Sequence, residues 1–394
     1  MATSVTPAAS GAYVLGVDSG GSGLRVALGR VGTSGPLSTV LCAKPVRTGT
    51  GGIDAGHLLE QVLPAARELL RQAGPSAADG AGTGGVAALA IGAAGMATLG
   101  ERLRAELPGA LADALGVRRV ALAADAVTAY AGAVGQRPGA VVAGGTGMIA
   151  LGTDLKEWRR ADGWGHLLGD SGGGAWIGRA GLDAAMRAHD GRRGGSPALL
   201  ERLRAVFGPA EELPGLLYPR SDRPAVLASF APEVAACAGA DAIAAGILRQ
   251  AAGHVAEAAA AVCPTTAGTD GTREATGEVA LTGGLFRMGE PLLAPVREEL
   301  ALLAPGARVT SPEGDPLTGA LRIAQALASD ELRLPLHPTM LFVPGRARPD
   351  GAAEWERRRG PRRRNGEQGG PRPGHNGPTE TDTPAVRPSS DISG

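Results

Sequence analysis

The sequence predicts an α/β protein made of two similar halves facing a cleft. Short apolar runs alternate with amphipathic helical stretches, the pattern of layered α/β architecture, and a Gly-rich turn between two apolar runs occurs twice, at 18–23 and at 144–147. Length agrees with two or three domains: the chain has 394 residues, against roughly 150 per domain. Aromatic side chains make up only 3% of it, so the core has to be built from Ala, Val, Leu and Ile.

The elements follow in order. Tyr13 to Val31, YVLGVDSGGSGLRVALGRV, reads as a hairpin whose turn is supplied by Gly20, Gly21 and Gly23. Residues 57–73 carry Leu58, Val62, Ala65, Leu69 and Leu70 at helical spacing. Val86–Ile91 is a compact apolar strand, 101–115 is helical in pattern, and Val120–Ala124 is a strand stopping at Asp125, followed by the helical AVTAYAGAV. A second cycle opens at Gly139 with AVVAGGTGMIALG, strand, glycine turn and strand again. A helix is expected over 175–189, a loop-rich stretch with two short helical pieces over 193–225, and a long Ala-rich helical region over 226–262. Val279–Leu281 should be a strand running into Thr282-Gly283-Gly284, with helices at 291–303 and 315–327 closing the folded part.

Charge and cysteine usage exclude several classes. Lys plus Arg and Asp plus Glu both total 39, so bulk charge gives no basis for nucleic-acid binding. The balance is uneven: residues 345–394 hold ten Arg and seven acids, leaving 29 basic and 32 acidic residues in the body, so the tail carries +3 and the body −3. That Pro- and Gly-rich tail, with its basic cluster at Arg357–Arg359 and Arg362–Arg364, is expected to be disordered. Cys42, Cys237 and Cys263 form no CxxC pair, which argues against a disulfide framework or a zinc or iron–sulfur motif. With no run of about 18 apolar residues and no signal-peptide pattern, a cytoplasmic protein is expected, with neither membrane nor nucleic acid as partner.

The glycine turns bear on chemistry. A hairpin tip without Cβ atoms exposes backbone N–H groups that can cradle a phosphate. Ser22 and Thr146 add hydroxyls, and Asp18 could hold a Mg²⁺-bound water; an ordinary tight hairpin explains either string equally well. Neither a GxGxxG nor a GxxxxGK[ST] pattern is present. Asp125 belongs at the C-terminal edge of a sheet, where open α/β folds place their sites; it can serve as a proton acceptor or as a helix N-cap. The stretch DGWGHLLGDSGGGAWIG, 162–178, has seven Gly in seventeen residues and two of the four Trp. So much backbone entropy is not spent on a casual linker. Trp164 suits packing on a sugar ring and Asp170 can accept ring hydroxyls, while Trp176 and His166 read as structural.

Taken in order and at these separations, VDSGGS, AADA, GGTG, GWGHLLGDSGGGAWIG and LTGGL resemble the N-acetylglucosamine kinase branch of the BadF/BadG-type ATPases, within the actin, hexokinase and heat-shock-ATPase superfamily. The resemblance runs from about Tyr13 to Ala328. It implies two ribonuclease-H-like domains, 13–136 and 137–315, with 316–330 packing back on the first, and a flexible 1–12. It implies Mg-ATP and a sugar as ligands and allows a homodimer. By position, Asp18, Gly20, Gly21 and Ser22 match the first phosphate loop and Gly145, Thr146 and Gly147 the second. Asp125 matches the catalytic base, Gly163, Trp164, Gly165 and Asp170 the sugar-contacting segment, Gly283 and Gly284 the adenosine loop, and Ala228 a helix bordering the nucleotide. The chain departs from its relatives at Ser171, where they usually have Glu, and at Met148, where they have Ser or Asn. The family's sugar-binding Asn has no clear match in VRTGTGGIDAG, where Thr48 or Thr50 is the candidate to stand in its place. The implied activity is phosphorylation of the 6-hydroxyl of N-acetylglucosamine. The alternatives are a sugar-responsive regulator without turnover and an activator ATPase, whose bridging cluster would need close-set cysteines that this chain lacks.

Overall fold

The computed structural model describes residues 11–20, 23–42, 44, 46–49, 52–74, 86–96, 100–267 and 273–346. The tail expected to be disordered apart from Gly345 and Arg346, the N-terminal 1–12 expected to be flexible apart from Gly11 and Ala12, and Gly21, Ser22 and Thr50 lie outside them.

The first half is a six-stranded sheet of β1 (Tyr13–Gly20), β2 (Gly23–Arg30), β3 (Ser38–Cys42), β6 (Val86–Ala93), β7 (Val120–Ala124) and β14 (Leu341–Phe342). A small hairpin, β4 (Thr48–Gly49) and β5 (Gly52–Ile53), stands apart from it. The strand order is β14-β7-β6-β1-β2-β3, with β1, β6 and β7 parallel and β2 antiparallel to β1. The second half repeats the plan. β8 (Gly139–Gly144), β9 (Met148–Thr153) and β10 (Trp158–Asp162) form an antiparallel meander, and β12 (Arg273–Thr282) lies parallel to β8 with β13 (Gly306–Thr310) parallel beyond it. β11 (Thr265–Ala267) pairs on β12. Leaving aside the short β4, β5, β11 and β14 and numbering each half from its own hairpin, both read 3-2-1-4-5, so the twofold glycine-turn pattern of the sequence marks a repeated topology.

Helices cover the sheets. In chain order they are α1 (Ala55–Gln72), α2 (Glu101–Leu115), α3 (Asp125–Ala133), α4 (Gly174–His189), α5 (Pro197–Phe207), α6 (Leu213–Leu217), α7 (Arg223–Ser229), α8 (Ala231–Cys237), α9 (Ala242–Val262), α10 (Glu290–Leu303) and α11 (Pro316–Ser329). The predicted stripe of α1 is buried through Leu58, Val62, Ala65, Leu69 and Leu70, and Asp54 caps its start by accepting from the His57 N–H. β7 is buried at every residue, as a parallel strand with both faces covered must be. α11 lies on the first sheet so closely that a Cβ on Gly16 would come within 2.7 Å of the Leu321 backbone nitrogen. Every residue of α3 after Asp125 is buried. It crosses α11 with backbone nearly on backbone, for a Cβ on Gly319 would lie 1.8 Å from the Thr128 carbonyl oxygen.

Two expectations need correction. Residues 193–225 hold more helix than two short pieces, including the eleven-residue α5. The prolines that made the stretch look loop-rich, Pro197, Pro214 and Pro224, stand in the first turns of α5, α6 and α7, where a missing N–H costs nothing. The Ala-rich 226–262 is three helices rather than one run, because Asp241 accepts from the Ala244 N–H and starts α9 afresh. Strands β3, β10 and β13 were not foreseen; β3 and β10 end their sheets and none of the three shows a buried residue. The three cysteines are free, and no single described helix is long and apolar enough to cross a membrane.

Candidate active site

Asp18 lies two residues from the end of β1's pairing with β2, and the hairpin register sets it opposite Arg25. The guanidinium grips one carboxylate oxygen, with Nε and Nη2 3.1 and 2.6 Å from Asp18 Oδ2, and reaches with Nη1 to Asp315 Oδ2 at 2.5 Å. Asp315 is the N-cap of α11 and accepts from the Thr318 N–H and hydroxyl at 2.9 and 2.7 Å. Burial raises the Asp18 pKa and the Arg25 contacts only partly offset it. The Asp315 carboxyl, although burial works against it, is held low by Thr318 and Arg25. Asp18 Oδ1 accepts no hydrogen bond among the described residues, which leaves it able to hold a water of a phosphate-bound Mg²⁺.

Asp125 follows β7 directly. The extended residue before the helix is Ala124, so Asp125 is the first residue of α3 and not its cap; its Oδ1 accepts from the adjacent Ala126 N–H at 2.9 Å. Burial raises its pKa; the Asp18 carboxylate adds to the rise, while the Ala126 N–H and the Arg160 guanidinium oppose it. Asp125 is thus within electrostatic reach of both Asp18 on the first half and Arg160 on the second.

Arg160, on β10, donates from Nε to the Asp162 carbonyl at 3.0 Å and from Nη2 to the Gly163 carbonyl at 2.5 Å. Its guanidinium carbon stands 4.2 Å from the centroid of the Trp164 ring, a cation–π contact on an indole that is otherwise 62% exposed. Asp170 has φ +55°, and its Oδ1 accepts from the Gly165 N–H at 3.1 Å. Burial raises its pKa, Gly165 and Arg160 pull it down, and Asp162 pushes it up. The Asp170 carboxylate also abuts the second glycine turn, since a Cβ on Gly147 would sit 2.2 Å from Oδ2.

That turn is tied to the start of α4. The Gly174 and Ala175 N–H groups donate to the carbonyls of Gly145 and Thr146 at 2.9 and 2.8 Å. Among the described residues, nothing lies within 4 Å of where a Cβ on Gly145 or Gly20 would be. Ala228 on α7 packs at Gly174, its Cβ 3.2 Å from a Cβ there. Gly283, at φ +102°, comes so close to β8 that a Cβ would meet the Gly144 carbonyl oxygen at 2.1 Å.

A family model for the BadF/BadG/BcrA/BcrD ATPases matches residues 15–322. The chain belongs to the BadF/BadG/BcrA/BcrD ATPase family. Its fold is the actin-like ATPase fold, with two ribonuclease-H-like halves. A crystal structure assigned as an N-acetylglucosamine kinase from Chromobacterium violaceum superposes with a TM-score of 0.60 at 28% identity, covering 80% of this chain and 98% of that one. One assigned likewise from Porphyromonas gingivalis gives 0.58 at 17% identity, covering 80% and 99%, a likeness of fold. The N-acetylmuramic acid/N-acetylglucosamine kinase of Clostridium acetobutylicum is 43% identical over 79 residues, which span 20% of this chain and a quarter of that relative.

For this BadF-family chain, the expected site residues fall into two connected groups. Asp18, Gly20 and Asp125 lie on the first half; Gly145, Thr146, Gly147, Gly163, Trp164, Gly165, Asp170, Ala228, Gly283 and Gly284 lie on the second, and the charge of Arg160 on the second half acts on Asp125. Thr48 opens β4, and Ser171 donates its N–H to Asp162. Sequence reasoning missed Arg25, Asp315, Arg160 and Asp162. Arg25 could have been found by counting across the hairpin turn from Asp18. Arg160 gives no local signal, because it acts through a fold-back onto Trp164.

Proposed function

We propose that the chain is an ATP-dependent sugar kinase acting on the 6-hydroxyl of an amino sugar, with N-acetylglucosamine as the first choice. The observation that carries this reading is the Asp125 carboxylate, raised in pKa by burial at a helix start and acted on by the charge of Arg160, whose guanidinium lies over Trp164 and also acts on Asp170. Residues 13–136 with 316–330 would form one domain and 137–315 the other. Trp164 offers its exposed indole to a sugar ring, while Asp170 and the backbone of Gly163 and Gly165 orient the hydroxyls. The tips at Gly20 and Gly145–Gly147 would offer N–H groups to the phosphates, and Gly283, Gly284 and Ala228 would line the adenosine end. Mg²⁺, when bound, neutralises phosphate charge, with Asp18 Oδ1 as the residue that would hold it through water.

Asp125 accepts the proton of the sugar hydroxyl as the oxygen attacks the γ-phosphorus. The new P–O bond forms, the bond to the ADP oxygen breaks, and the proton remains on Asp125 until solvent takes it. The loose transition state of phosphoryl transfer makes positioning the larger contribution, with the base adding on the order of 10²–10⁴-fold. A coupled ADP-release assay across N-acetylglucosamine, N-acetylmuramic acid, glucosamine, N-acetylmannosamine and glucose tests the reading. Sugar-dependent ADP formation with an N-acetylated amino sugar is expected. Sugar binding without ADP would favour a sensor, and ATP hydrolysis indifferent to sugar an activator ATPase.

A further inference from the structure

Asp162 ends β10 with φ +60°, a left-handed conformation in which a side chain is tolerated at a cost. Both of its carboxylate oxygens are occupied by backbone of the following loop: Oδ1 accepts from the Asp170 N–H at 2.6 Å and Oδ2 from the Ser171 N–H at 3.0 Å. Gly169 lies against the same carboxylate, for a Cβ there would be 2.3 Å from Oδ1. The carbonyls of Asp162 and Gly163 are held from the other side by Arg160. A loop rich in glycine, with Trp164 at its start and Asp170 at its end, is therefore drawn closed by one side chain at its root. Asp170 itself stands at φ +55°, so its own backbone does not favour the orientation that presses its carboxylate on Gly147.

We propose that Asp162 is a positioning residue for sugar binding: by chelating the two amides of Asp170 and Ser171 it fixes the Asp170 carboxylate between Gly147, Gly165 and Arg160. The ligand, though not the tether, rests on the sugar-kinase reading above. Asp162→Gly suits the backbone while removing the carboxylate, and Asp162→Asn suits it while keeping one acceptor oxygen. In steady-state kinetics with N-acetylglucosamine, Asp162→Gly is expected to raise the sugar KM on the order of tenfold or more, with the ATP KM held within about twofold; Asp162→Asn recovers part of the loss. Backbone hydrogen exchange should accelerate at Asp170 and Ser171 in Asp162→Gly and stay unchanged in the body of α4. An unchanged sugar KM, or equal rises for sugar and ATP, overturns the proposal. If the parental protein phosphorylates no sugar, the kinase reading fails by itself, and exchange then decides: faster exchange confined to 165–171 supports the tether and unchanged exchange overturns it. Asp162→Asn serves both readouts should the glycine variant not fold.

Discussion

Asp125 combines two properties that usually conflict. Burial raises its pKa, so the folded chain holds a proton on this carboxyl more readily than the unfolded chain does. By linkage, ionised Asp125 costs stability at neutral pH, and that cost is relieved as pH falls through the raised folded-state value toward the ordinary one. A neutral isostere escapes the cost: Asp125→Asn is expected to melt at a higher temperature than the parent while losing on the order of 10²–10⁴-fold in kcat and still binding ATP. Calorimetry and the ADP-release assay check both halves, and a variant that melts lower or turns over at parental rate contradicts the assignment. The same shift gives the parental enzyme a kcat that falls on acidification from a higher pH than an ordinary Asp would, because the base works only when ionised. Asp18 adds to the rise at Asp125, so Asp18→Asn should move the acid limb of that profile to lower pH.

At the scale of elements, the site depends on glycines that let one loop lie on another. A methyl group on Gly147 would occupy space held by the Asp170 carboxylate. Gly147→Ala is therefore expected to turn Asp170 away from Gly165 and to raise the sugar KM by about tenfold, with the fold intact; circular dichroism and kinetics together test it, and a parental KM would mean that Asp170 does not touch the sugar. The two hairpins, β7, α2, α3 and the start of α4 were legible because apolar runs, glycine turns and helical spacing are local signals. What escaped was set by partners distant in sequence: β10 forms as a strand because β9 offers it a ladder, and Asp162 matters only because the loop returns eight residues later to use its carboxylate. Likewise Asp315 reads locally as a helix cap, and its bond to Arg25, 290 residues away, becomes visible once α11 returns to the first sheet.

The whole molecule joins its halves by two short crossings that lie side by side, 134–138 after α3 and 311–315 before α11. The Glu313 N–H donates to the Ala133 carbonyl at 3.1 Å. Arg137 reaches Glu313 at 2.6 Å and Glu278 at 2.8 Å, and Arg322 binds the other Glu313 oxygen at 3.0 Å while donating to the carbonyls of Ala131 and Gly132. Glu313, on the second crossing, thus links Arg137 on the first to Arg322 within α11, at the far end of the helix that begins with Asp125. If the crossings serve as the hinge between the halves, a change there alters how the halves move. Because these side chains are partly exposed, 33 to 45% for the three partners, Glu313→Gln should cost no more than about 1 kcal/mol of stability. Kinetically the expectation is larger: residues at a hinge shift kcat and KM together, so the variant should move both by several-fold in the same assay. The parental enzyme should drift toward the variant at about 1 M salt, where the Debye length is about 3 Å. If kcat and sugar KM stay parental in Glu313→Gln at low salt, the ion-pair network is a passive strap and the halves take their relative motion from elsewhere.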